Sequence, residues 1–360
     1  MICCVNCFRD AEVRAVISSL KIEGNCEVCK KENTSIYDTN INKELTPMFE
    51  GLLELYTPLS EMPSPLRSKR GQFTLLQEEL QSTWNLFNVE GRLIYDLISE
   101  ICKEKYEKNS GIFDERVGIL KLFDAEFKEE YSILKNFDWT QFTEEIKHKN
   151  RFHVKSFNTQ RFLEIIEAAT RSFKKGEIFY RARISNGRDT PFPIDEMGPP
   201  PEYLATNGRV NPFGISCLYL ANEQDTAIKE IRAGIHDSVT VGEFELLEDL
   251  EIVDLTILDS VSPFVAEDME RYAINKSHLK AIANEITKPL KGTNPNIGYL
   301  PSQYISDLIK SAEKKGIKYK STMDKDFYNL AIFDKSLLEC KKVYLKEVES
   351  IDYVVKEKSY

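Results

Sequence analysis

Four cysteines in two pairs, Cys4-x-x-Cys7 and Cys26-x-x-Cys29, with 18 residues between the pairs, constrain the start of this chain more than any other feature. Two CxxC turns at that separation can close on one tetrahedral ion, which lets a segment too small for a core of its own hold a fold. Gly24 and Asn25 supply the turn ahead of the second pair, and Cys3 is a spare thiol that could exchange registers with Cys4. A closed four-cysteine site leaves no open position for chemistry, so Cys4, Cys7, Cys26 and Cys29 read as ligands of a structural zinc. A surface offered to nucleic acid or protein is the functional alternative. Thioredoxin-like chemistry fits less well, because neither pair opens a helix within a βαβ pattern.

The composition is that of a globular protein. A chain of 360 residues exceeds what one hydrophobic core usually serves, and 42% hydrophobic with 29% charged residues supports two or more folded units. The formal net charge of -10 speaks against a protein whose work is gripping phosphate backbones, which takes clustered Lys and Arg, so nucleic acid is not an expected partner. The first residues, MICCVNCFRD, lack the basic start and apolar stretch of a signal peptide, and no apolar run is long enough for a bilayer. A cytoplasmic protein without membrane contact is expected. In that reducing setting paired CxxC spacings mean metal more often than disulfide. Cys102, Cys217 and Cys340, scattered through apolar contexts, read as small core residues.

Patterning divides the chain into three parts: a zinc-ribbon-like segment over 1–40, a helical region over 41–173 and a mixed domain over 174–350. A connector with Pro58, Pro63 and Pro65 breaks periodic structure over 57–71. Beyond it the apolar period is helical: Leu76, Leu80, Trp84 and Phe87, then Leu93, Leu97 and Ile101, then Phe123, Phe127, Tyr131 and Leu134. Asp138 or Thr140 can cap a fourth helix carrying Phe142 and Ile146, and 161–173 reads as a fifth, so a small helical bundle is expected over 70–173. Lys174-Lys175-Gly176 ends it. Strands are then predicted over 177–184, 216–221, 238–246 and 251–256, with helices over 225–233, 264–287 and 302–315. The fold class is α+β, with loops long enough to carry function.

Motifs of the commoner enzymes are missing: GxxxxGK[ST], HExxH, a strand-borne GxGxxG and GxSxG do not occur, and the four histidines make a His-centred enzyme a poor fit. What is left is a set of polar residues at the ends of the later strands. Arg181 and Arg183 leave the first strand after Phe179-Tyr180, Arg209 and Asn211 sit in a Gly- and Pro-bounded loop, and Tyr219 lies in the second strand. Asn222 or Asp225 can cap a helix containing Glu230, and Ser321 follows a short strand. Taken singly these are a solvated arginine, a core tyrosine, a surface glutamate and a turn serine.

In order, however, FYRAR, GPPP, GRVNPFGISCLYLANEQDTAIKEIR, IVDLT, PSQYIS and GIKYKS followed by Asn and Phe resemble the RES domain family over about residues 176–340. The resemblance implies an ADP-ribosyltransferase-like mixed sheet and a toxin or defence effector that degrades NAD, its substrate, by hydrolysis or phosphorolysis. It also implies Arg181, Glu230 and Ser321 as catalytic residues, with Arg209, Tyr219, Arg183 and Asn211 around the substrate. The region ahead is similar, more loosely, to HEPN-like helical domains. Arg151 and His153 are too close together for the Arg and His of active members, and Arg271 and His278 fall inside the RES-like part, so a scaffold or sensor is expected.

In NAD the leaving nicotinamide is a pyridinium that departs neutral, so a single carboxylate suffices where an ordinary glycosidase needs two. Water, phosphate or a protein side chain could each take the ribose, giving a glycohydrolase, a phosphorylase or a protein ADP-ribosyltransferase. A rival reading makes the chain a zinc-stapled binding module, RNA-directed through basic stretches such as 147–155. An NAD consumer implies an antitoxin or other regulatory partner, and a homo-oligomer stays open.

Overall fold

The computed structural model describes residues 1–135, 138–185, 187–258, 261–288, 295–324 and 326–352. They form two compact units, Met1–Phe137 with Asp259–Leu279, and Asp138–Leu258 with Lys280–Tyr360. Among the described residues no helix is long and apolar enough to cross a membrane.

In the first unit β1 (Ile2–Cys4), β2 (Glu23–Gly24) and β3 (Thr34–Asp38) make a small antiparallel sheet in the order β1-β3-β2. The Ile36 side chain packs over Gly24 at its edge, where a Cβ would lie 2.7 Å from Ile36 Cδ1. The helix Ala11–Ser19 begins at Asp10, whose carboxylate accepts from the N–H groups of Glu12 and Val13. A second short sheet joins β4 (Thr57–Pro58), β5 (Thr74–Leu75) and β6 (Arg116–Gly118) in the order β4-β6-β5. Phe8, Phe49 and Phe87 pack ring against ring at the centre of this unit's core.

The helical stretch predicted over 70–173 divides between the units. Leu76, Leu80, Trp84 and Phe87 are buried as the stripe requires, but the chain reaches them through one short helical turn and a five-residue π-helix. The stripe Phe123, Phe127, Tyr131 and Leu134 is broken: Asp124 caps a new helix, Ala125–Tyr131, and Phe123 is left exposed. The helices Trp139–His148, capped by Asp138, and Thr159–Ala168, capped by Asn158, belong to the second unit, as does the basic stretch 147–155.

The second unit is built on one eight-stranded mixed sheet, in the order β14-β10-β8-β9-β13-β12-β11-β7. Its strands are β7 (Thr170–Phe173), β8 (Ile178–Ile184), β9 (Leu218–Ala221), β10 (Ser238–Leu246), β11 (Leu250–Asp254), β12 (Gly316–Lys320), β13 (Tyr328–Ile332) and β14 (Leu338–Glu347). Among the described residues only β11 and β12 run parallel, and the chain between them is long enough for the crossover that parallel pairing demands. Residues 170–173 depart from the helix predicted over 161–173: the helix stops at Ala168, and Thr170–Phe173 pairs along Leu250–Val253 as an edge strand.

Strand alternation sorts the residues onto two faces. Phe179, Leu218, Leu220, Phe244, Leu246, Leu330 and Ile332 bury one face, and Ala182, Ala221, Val239 and Val241 pack with Ala227 of the helix Gln224–Glu230 on the other. The cleft arises between β8 and β9. These neighbours pair through Tyr180↔Ala221 alone, so the sheet splays open there.

Candidate active site and cysteine cluster

The helix Gln224–Glu230 starts at Glu223, not at the predicted Asn222 or Asp225; the Asn222 side chain instead accepts from the N–H of Tyr328 across the sheet. Seven residues later the helix ends at Glu230, which lines a cavity of about 570 Å³. Two donors fix the carboxylate: Ser321 Oγ at 2.7 Å and Asn329 Nδ2 at 2.8 Å, both on Oε1. The serine has no freedom in this. Its oxygen already accepts from the N–H groups of Met323 (3.1 Å) and Asp324 (3.2 Å), so its one proton goes to Glu230.

Arg181, Arg209 and Tyr219 line the same cavity. Arg209 is held by its own backbone and side chain together. Ser302 and Gln303, at the start of the helix Leu300–Ser311, donate to the carbonyls of Arg209, Gly208 and Asn211, and the Arg209 guanidinium donates to Ile286 O at 2.8 Å. Tyr219 closes the loop from the sheet: its hydroxyl donates to Asn211 Oδ1 (2.6 Å) and accepts from Val210 N–H (3.1 Å). Gly208 leaves room for that pair, since a Cβ there would lie 2.3 Å from Asn211 Oδ1 and 2.5 Å from the Tyr219 hydroxyl. Burial raises the Tyr219 phenol well above its ordinary value, so the hydroxyl stays neutral and its ring serves as wall.

Arg181 enters from the other side of β8. It shares a face with Phe179, opposite to Tyr180 and Ala182, and lines the cavity where β8 and β9 part. Its Nη1 donates to the carbonyls of Met197 and Gly198, just ahead of the three prolines. Burial, then the charge of Arg183, pulls its guanidinium down to about 10, which leaves it charged at neutral pH.

Two of the sequence-predicted substrate contacts do not line this cavity. Arg183 lies exposed over the Phe192 ring, 3.9 Å from its centre, and bonds to Glu196. Asn211 is buried, with its amide donating to the carbonyls of Thr206, Pro212 and Ile215, so it fastens the loop and has nothing left for a ligand. Ser302 and Gln303 are not singled out in the sequence, and Asn329 enters there only as the Asn that follows GIKYKS. Only the position of Ser302 and Gln303 within PSQYIS carries any signal of their part.

In the first unit the sulfurs of Cys4, Cys7, Cys26 and Cys29 lie within 4.8 Å of one another. Neighbouring separations are 3.4 Å (Cys4–Cys29), 3.5 Å (Cys7–Cys26) and 3.9 Å (Cys4–Cys7). Tetrahedral zinc with Zn–S bonds of about 2.3 Å would space its sulfurs by about 3.8 Å, so the four fit such an ion. The N–H of Cys29 also points at Cys26 Sγ (3.3 Å). Cys3 stands outside the group, its thiol directed to Tyr37 O. Of the Arg and His considered for a HEPN-like site, Arg271 is paired with Asp268, and burial presses the imidazole of His278 down to about 4.

Fold and site define a class first: a mixed-sheet domain that opens a polar, arginine-lined cavity over one fixed carboxylate, in the volume range of small-molecule sites. Residues 178–355 match the model of the RES domain, and this part of the chain belongs to the RES domain family. Among solved structures, a chain in the crystal structure of the M. tuberculosis MbcT-MbcA toxin-antitoxin complex is similar, with 11% identity over 51% of this chain and 91% of that chain and a TM-score of 0.32. No curated protein matches the chain.

Proposed function

We propose that the RES domain cleaves the bond between ribose and nicotinamide in NAD, passing the ribose to water or phosphate. The observation that carries this is Glu230 in the lining of the cavity, with Ser321 and Asn329 both bonded to one of its oxygens. A carboxylate so fixed is preorganised for the positive charge that spreads over the ribose ring as the bond stretches, and groups of this kind are worth about 2.7 to 4 kcal/mol. Nicotinamide leaves as a neutral base, so no second acid is needed to protonate it. Arg181 keeps N–H donors beyond those given to Met197 and Gly198 and would orient the ribose hydroxyls. The Tyr219 ring would wall off the nicotinamide and limit water.

Incubating the protein with NAD and following free nicotinamide tests this directly. Release should be abolished in Glu230→Gln and Arg181→Ala, and added phosphate should divert the product to ADP-ribose 1''-phosphate if phosphate is the acceptor. Intact NAD in the presence of folded wild-type protein would sink the proposal. The four-cysteine cluster supports a structural zinc that holds the first thirty residues together, and it takes no part in the cleavage. A protein with this activity needs restraint in its own cell, by an antitoxin or another regulatory protein.

A further inference from the structure

The cavity over Glu230 has a neighbour along the same helix. A second cavity, of about 840 Å³, lies beyond, and Arg232 and Met323 line both. Arg232 is therefore the charged side chain at the junction. It differs from the other two arginines of the first cavity, whose guanidiniums already donate to backbone carbonyls of Met197, Gly198 and Ile286. Among the described residues the Arg232 side chain has no hydrogen-bonding or ion-pair partner, while the neighbouring Lys229 is taken by Asp324 at 2.7 Å. Its backbone is also in the left-handed region, with φ of 52°, where glycine is the residue at ease. A strained, partnerless arginine at the mouth of one cavity and the start of another is a candidate for binding, because strain at a ligand site persists where something other than local propensity keeps the residue.

Resting on the NAD-cleaving reading, we infer that Arg232 binds the pyrophosphate of the dinucleotide and that the second cavity takes the adenosine half. NAD joins its two nucleotide halves through a pyrophosphate, so with the nicotinamide ribose at Glu230 the two cavities that share Arg232 would take one half each. A planar guanidinium with all its donors free matches two phosphate oxygens at once. Ile228 and Val348, both partly buried, give the second cavity apolar wall for an adenine.

Arg232→Gly relieves the left-handed strain and should fold as well as wild type by thermal melting. Its affinity for ADP-ribose, measured by calorimetry, should fall by about tenfold or more, the loss expected for charge-assisted bonds to phosphate. Its affinity for nicotinamide, which has no phosphate, should stay within twofold. In turnover, KM for NAD should rise with kcat changed little. Arg232→Lys, with the charge but not the fork, should lie between. Equal affinity of Arg232→Gly and wild type for ADP-ribose, or no binding by wild type, overturns the inference. Wild type that releases nicotinamide with Arg232→Gly unaltered overturns it while leaving the NAD-cleaving reading intact. Wild type that binds ADP-ribose through Arg232 but never releases nicotinamide leaves the inference standing and removes that reading.

Discussion

Replacing Ser321 with alanine removes one of the two hydrogen bonds that fix the Glu230 carboxylate, and the structure sets how much that should cost. The bond is 2.7 Å long, and its donor is oriented for it, because two backbone N–H groups occupy the oxygen's lone pairs and leave the proton aimed at Glu230. Hydrogen bonds to a charged group contribute about 1.5–3 kcal/mol. Asn329 still holds the same oxygen, so the lower end applies: about 1.5 kcal/mol, or roughly tenfold in the rate of nicotinamide release. The N–H groups of Met323 and Asp324 lose their acceptor in a turn that water reaches, a cost of about 0.5–1.5 kcal/mol and a melting temperature lower by a few degrees. Single-turnover release of nicotinamide from NAD, measured beside a thermal melt, separates the two effects. Asn329→Ala should behave alike, and the double variant should lose more than the two single losses together, since each residue backs up the other on one oxygen. Rates within twofold of wild type for both single variants and the double variant would refute the idea that these bonds prepare the carboxylate.

Three further outcomes are expected. Metal analysis should find one zinc per chain, and Cys26→Ser should lose it and lower the melting temperature; metal-free protein of full stability would contradict the staple. Gly208→Ala pushes a Cβ into the Asn211–Tyr219 pair and should displace Arg209, with nicotinamide release falling by about tenfold or more while the protein stays folded; unchanged activity would mean that the loop has slack. Gln303→Ala removes the donor to Gly208 O and Asn211 O and should act on the same loop with a similar loss, read as a rise in KM for NAD; an unchanged KM would show the loop to be held without it.

The parts of the fold legible in the sequence are those whose cause is local. The cysteine spacing states its own geometry, and Ser238–Leu246, with Val239, Thr240, Val241 and Phe244, is rich enough in β-branched and aromatic residues to be read as a strand to the residue. Two- and three-residue strands such as Thr57–Pro58 carry no period, and Thr170–Phe173 continues an apolar helical stripe until its pairing with Leu250–Val253 overrides it. The site was harder. Glu230, flanked by Lys229 and close to Arg232, has the pattern of a solvated helix face, and only the family resemblance points to it. Its partner Ser321 is 91 residues away, and Asn329 is hidden in a strand whose other residues are apolar. Arg181 and Arg183 look alike in sequence. The carbonyls of Met197 and Gly198 hold one at the cavity, and the Phe192 ring and Glu196 hold the other in solvent.

A crystal structure of Glu230→Gln grown with NAD tests the central claim most directly, because the variant should bind the dinucleotide without consuming it. Nicotinamide ribose within hydrogen-bond reach of the residue 230 amide, with Tyr219 beside the base and Arg181 at the ribose, is expected. NAD bound elsewhere, or a cavity closed by the protein's own side chains with saturating NAD present, would contradict it.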